Sequence, residues 1–142
     1  MFEVANFRKP WEAKVSGRVV HFEIPFDDGE RARNFYREAF GWQVQEMPGL
    51  NYTMVGSGPT SDQGMPTEPG FVNGGMLQRG RAISGPVITI DVENIDKTLE
   101  GVEKLGGATV VAKQTVGSMG FSAYFTDSEG NLMGLWETAT GG

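Results

Sequence analysis

The stretch VVHFEIPFDDGERARNFYREAFG (residues 19–41) decides the fold, because VITIDVENIDKTLEGVEKLG (residues 87–106) repeats its pattern. Each holds a strand, a short acidic or amide cap, an amphipathic helix and a closing glycine. His21 and Val87 lie 66 residues apart, and the helix-ending Gly41 and Gly106 lie 65 apart. A repeat of that length, with room for further strands after each helix, predicts a βαβββ module used twice.

The first strand alternates: Val20, Phe22 and Ile24 form an apolar face, and His21 and Glu23 share the other. Asp27 with Glu30 three residues on reads as a capping box. Ala32, Phe35, Tyr36, Ala39 and Phe40 follow at helical spacing, and Gly41 stops the helix. Strands are predicted near Trp42–Met47, Tyr52–Val55 and Phe71–Arg79. In the second half, Ile88, Ile90 and Val92 oppose Val87, Thr89 and Asp91. Asn94 caps a helix striped by Ile95, Leu99, Val102 and Leu105. Strands near Thr109–Lys113, Phe121–Thr126 and Leu132–Glu137 complete it. The fold class is therefore α+β, with two curved, mostly antiparallel sheets, helices outside and a concave cup lined by the polar strand faces. Repeats 18–79 and 84–139 make one domain, preceded by an arm at 1–17. Phe2, Phe7 and Trp11 make that arm either frayed or a strap on a neighbouring subunit.

Composition narrows the function classes. The 142 residues carry a net charge of −6 and no cysteine. No Lys/Arg cluster suits a phosphate backbone, so no nucleic acid is expected. Disulfides, thiolate metal sites and cysteine nucleophiles are excluded. With neither a signal-like apolar run nor a membrane span, no membrane partner and a cytoplasmic location are expected. The Gly56–Gly70 loop lacks GK[ST] and any Lys or Arg. It reads as a flap over the cup or a crossover to a partner.

Four side chains stand out. His21, the sole histidine, is either a general base or a hydrogen-bonded remnant of a lost metal site. Glu23 either orients His21 or acts as a base itself, or is a solvated rim charge. Trp136, on the Gly134 face, is a stacking platform for a planar ligand or a space-filler. Tyr124 supplies a hydroxyl to the cup, or sits at an interface. The methionines Met54, Met76, Met119 and Met133 read as core filling.

The segments "VVHFEIP…DDGERARNFYREAFGW" and "DSEGNLMGLWE" resemble the vicinal oxygen chelate superfamily, over roughly residues 18–139. That group includes glyoxalase I, extradiol dioxygenases, methylmalonyl-CoA epimerase, and fosfomycin- and bleomycin-resistance proteins. Its metal-dependent members hold four ligands on the first and last strands of each half. The resemblance maps those positions to His21, Gly75, Val87 and Gly134, three of which have no donor. Glu137 falls on the opposite strand face from Gly134. The resemblance thus implies no bound metal or other cofactor, since such sites use three or four donors. It implies a homodimeric, metal-independent protein that binds a small organic molecule. The alternative is a lyase or isomerase related to lactoylglutathione lyase, with His21 and Glu23 as acid and base.

Overall fold

A computed structural model describes residues 17–140; the aromatic arm read from Phe2, Phe7 and Trp11 lies outside the described residues. The chain divides into two compact units, Val19–Thr89 and the remainder from Ile90 onward with Gly17–Arg18.

The first unit runs β1 (Val19–Phe26), α1 (Gly29–Phe40), β2 (Gln43–Met47), β3 (Tyr52–Gly56) and β4 (Gly74–Gln78). Its strands lie in the order β2-β3-β4-β1. β1 and β4 are parallel, with Glu23 opposite Gly75. β3 is antiparallel to β4, with Met54 opposite the same Gly75. Period-2 alternation then separates two faces. Thr53, Val55 and Met76 lie buried on the face toward α1, where Arg33 of α1 donates to Thr53 Oγ1 at 3.3 Å. Glu23, Met54 and Gly75 share the opposite face, together with His21 and Tyr52.

The cap of α1 departs from the capping-box expectation. Asp28, not Asp27, is the N-cap, accepting from the Arg31 N–H at 3.0 Å. Asp27 instead pairs with Arg79 Nε at 2.9 Å. Gly41 ends the helix at φ 70°, the left-handed conformation favouring glycine. None of the α1 residues is buried. Its aromatic side chains fan outward: Phe35 is 57% and Phe40 64% exposed, and Tyr36 stacks on Trp42 at 4.9 Å. The helical spacing of these aromatics holds, but the fan packs mainly on itself.

The second unit contains α2 (Ile95–Lys104), β6 (Ala108–Val116), β7 (Gly120–Thr126) and β8 (Leu132–Thr138). β5 (Val87–Asp91) straddles the boundary between the units and is followed by β8, β7 and β6 in strand order. Asn94 caps α2 as read, accepting from the Lys97 N–H at 2.9 Å. Here the helix does seal onto the sheet: Ile95 and Leu99 bury against Ala123, Phe125 and Leu135. Each fully buried aliphatic side chain contributes about 1.5–3 kcal/mol. Met133 packs on this core and Met76 is fully buried, whereas Met119 faces solvent.

Candidate functional site

The first unit builds one polar cluster from two strands. His21 and Glu23 project from alternate positions of β1, and Tyr52 from the start of β3. The Tyr52 hydroxyl bonds Glu23 Oε2 at 2.7 Å and His21 Nε2 at 2.8 Å. Strand order makes this possible, because only β4 separates β3 from β1. The crossing is allowed at Gly75: a Cβ there would fall on the Tyr52 hydroxyl and ring carbons. Glycine inside a strand thus marks a close approach, here by a phenol.

Glu23 is buried at 7% exposure, and the phenol shields it on one side. His21 is partly buried. Burial holds its pKa below the ordinary 6.5, with the Glu23 charge pulling the other way. Near neutral pH the imidazole is therefore uncharged. A neutral imidazole beside a tyrosine and a carboxylate offers hydrogen-bonding and proton-transfer chemistry.

Sequence reasoning placed His21 and Glu23 on one face, and the structure joins them. It missed Tyr52, the residue that links them. Tyr124 and Trp136 belong to the second unit. Tyr124 lies opposite Gly134, and Trp136 opposite Ser122, all on the face away from the helix-packed Ala123 and Phe125. The Trp136 ring lies across Gly120, where an added Cβ would meet it at 2.6 Å. Its Nε1 donates to Thr138 Oγ1 at 3.1 Å, so the indole runs along its own sheet. Glu137 is on the helix-facing side, as the odd offset predicted, accepting from the Ile95 N–H at 2.8 Å.

The donor set fits a metal poorly. Val87 and Gly134 offer no side-chain donor, and the space over Gly75 is filled by the Tyr52 phenol. His21 Nε2 already meets the Tyr52 hydroxyl. Among the described residues, no three His, Cys, Asp or Glu side chains come together as a metal site.

A cleft of about 490 Å³ opens at the start of α1, walled in part by Gly29, Arg33, Glu46, Asn51, Tyr52 and Thr53. Arg33 reaches Glu46 at 3.6 Å there, so the cleft's main cation already has an acidic neighbour. The Gly56–Gly70 loop is tied at its base: buried Asn73 accepts from the Ser57 N–H and donates to Thr60 Oγ1 and the Gly64 carbonyl.

Comparison with known proteins agrees with this architecture. Residues 18–58 match the family described as bleomycin resistance protein-like N-terminal. A glyoxylase-like domain-containing protein of Didymella fabae is 32% identical over 122 residues, covering 82% of this chain and 91% of that protein. The chain belongs to the glyoxalase-like, vicinal oxygen chelate superfamily. Solved structures share the fold. A methylmalonyl-CoA epimerase variant of Streptomyces coelicolor, in complex with 2-nitronate-propionyl-CoA, superposes with a TM-score of 0.62 at 19% identity, over 88% of this chain and 99% of that one. The methylmalonyl-CoA epimerase of Mycobacterium tuberculosis gives 0.59 at 15% identity, over 89% and 91%. Among the described residues, no helix of this glyoxalase-like chain is long and apolar enough to cross a membrane.

Proposed function

We propose that this glyoxalase-like chain is a metal-independent small-molecule binding protein, with His21, Glu23 and Tyr52 as its polar anchor. The observation that carries the reading is the Tyr52 phenol. It occupies the space above Gly75 and engages both His21 and Glu23, the groups that would otherwise be offered to a cation. A small organic ligand needs few directed polar groups on an otherwise apolar surface, which this cluster beside Met54 and Leu77 supplies. Tyr124 and Trp136 are proposed as further ligand contacts, a cytoplasmic homodimer as the working form, and no cofactor as required. Two measurements test this together. Elemental analysis is expected to give well under one equivalent of Zn, Ni, Fe or Mn. Native mass spectrometry of protein from its own host is expected to show a co-purifying organic molecule. Stoichiometric metal lost on His21→Ala would overturn the proposal.

A second reading, a lyase or isomerase using His21 and Glu23 as acid and base, is favoured by one observation. A neutral imidazole hydrogen-bonded through a hydroxyl to a buried carboxylate is an arrangement suited to moving protons. His21→Ala separates the two: turnover lost with binding retained supports the enzyme, and an absence of turnover at every pH supports the binding protein.

A further inference from the structure

We infer that Tyr52 and Glu23 are positioning residues that hold His21 as the Nε2–H tautomer, leaving Nδ1 as the acceptor for a hydrogen donated by the ligand. This rests on the reading above, that a small molecule binds at the His21 face of the first unit.

The direction of the chain follows from counting hydrogens. A carboxylate only accepts, and a phenol has one hydrogen to give. Tyr52 therefore donates to Glu23 Oε2 at 2.7 Å. Its oxygen then meets His21 Nε2, 2.8 Å away, as an acceptor, so Nε2 carries the ring hydrogen. The reverse arrangement would set a phenol lone pair against a carboxylate oxygen at the same 2.7 Å. With Glu23 only 7% exposed, little water is available to relieve that repulsion. A neutral imidazole protonated at Nε2 keeps its lone pair on Nδ1. Nδ1 makes no hydrogen bond to any described residue.

This assignment selects a ligand class. A neutral donor (a phenol, an enol or an amide N–H) gives its hydrogen to Nδ1. A carboxylate ligand would place acceptor against acceptor, near the Glu23 charge. An ether of the same shape has nothing to donate.

The single histidine makes the test clean, because every imidazole signal comes from His21. Imidazole ¹⁵N spectra near neutral pH are expected to show Nε2 protonated, with its proton slow to exchange, and Nδ1 bare. In Tyr52→Phe, with folding checked by circular dichroism, the protected Nε2–H signal is expected to vanish. Titration of wild type with phenol is expected to shift Nδ1, with a Kd about two- to tenfold below that of anisole, the worth of one hydrogen bond. A protonated Nδ1 in wild type overturns the inference, and that spectrum decides even if the Phe variant does not fold. Phenol and anisole binding equally at His21 overturns the donor requirement while leaving small-molecule binding intact. Phenol leaving Nδ1 unshifted overturns it as well.

Discussion

Glu23 in the first unit and Glu137 in the second are both carboxylates largely shielded from water, yet their partners differ in kind. Glu137 lies on the helix-facing side of β8. It accepts the Ile95 N–H at the start of α2 and pairs with Lys113 at 3.2 Å, itself set over the Phe121 ring at 4.2 Å. The first of these contacts holds a helix to a sheet, and the other two tie strands of that sheet together. Glu23 lies on the opposite kind of face, away from α1, and its Oε2 accepts from a phenol that leads on to an imidazole. The helices differ in the same sense. α2 buries Ile95 and Leu99, while α1 buries no residue. Two copies of one module have thus diverged by which sheet face receives the acid. Beneath a helix it becomes a fastening, and on the face away from the helix it can tune a ligand-binding group.

The sharpest way to break this contrast is in the α2 core. Leu99→Ala should cost about 2–5 kcal/mol in urea unfolding, as buried leucines do. A loss below about 1 kcal/mol would mean that α2 is not sealed as described. Glu137→Ala should cost about 1–3 kcal/mol, by stranding the Ile95 N–H and the Lys113 charge. The His21 Nε2–H resonance should not move in that variant. If it moves, the division between a fastening acid and a tuning acid fails. Gly75→Ala should cost a similar 1–3 kcal/mol, roughly the strain of overpacking, but it should also shift the His21 signals, because the new methyl collides with the phenol.

The pH dependence sharpens the comparison further. Burial lowers the folded-state pKa of His21 below 6.5, so the unfolded chain takes up its proton first as pH falls. The stability from the neutral imidazole is thus complete above about pH 6.5 and is lost as pH drops toward the folded pKa. Glu23→Gln removes the charge that partly offsets burial, and should move the His21 titration midpoint lower still by NMR. The smallest effect belongs to the α1 fan: Phe40→Ser should change stability by no more than about 0.5 kcal/mol, because Phe40 is 64% exposed.

Local patterns carried most of the architecture. Strand alternation at Val19–Ile24 and the helical stripe from Ile95 to Val102 each fall within one observed element, as does the strand over Leu132–Glu137. The α1 cap was misread because two adjacent aspartates compete, and Arg79, far along the chain, claims Asp27. β4 begins at Gly74 rather than near Phe71, since Asn73 turns its amide to the preceding loop. Tyr52 escaped notice for a related reason. It meets Glu23 and His21 across 29 and 31 residues, through a parallel β1–β4 pairing that no local pattern encodes. A signal was present in Gly74-Gly75, two glycines inside an apolar strand. Read as a vacated ligand position, Gly75 is equally the mark of a large side chain passing close by.

Asn73 bears on how the loop before β4 can change length. One amide grips that loop at Ser57, Thr60 and Gly64, while Thr67 reaches back to the Pro59 carbonyl at 2.9 Å through its backbone. Residues inserted between Ser57 and Gly64 would have to break that grip. Residues inserted at Glu68–Gly70, all exposed, would extend the loop beyond its last tie and leave the base intact. Divergence in length among relatives should therefore gather at the Glu68–Gly70 end, where the backbone is least constrained by its own side chains.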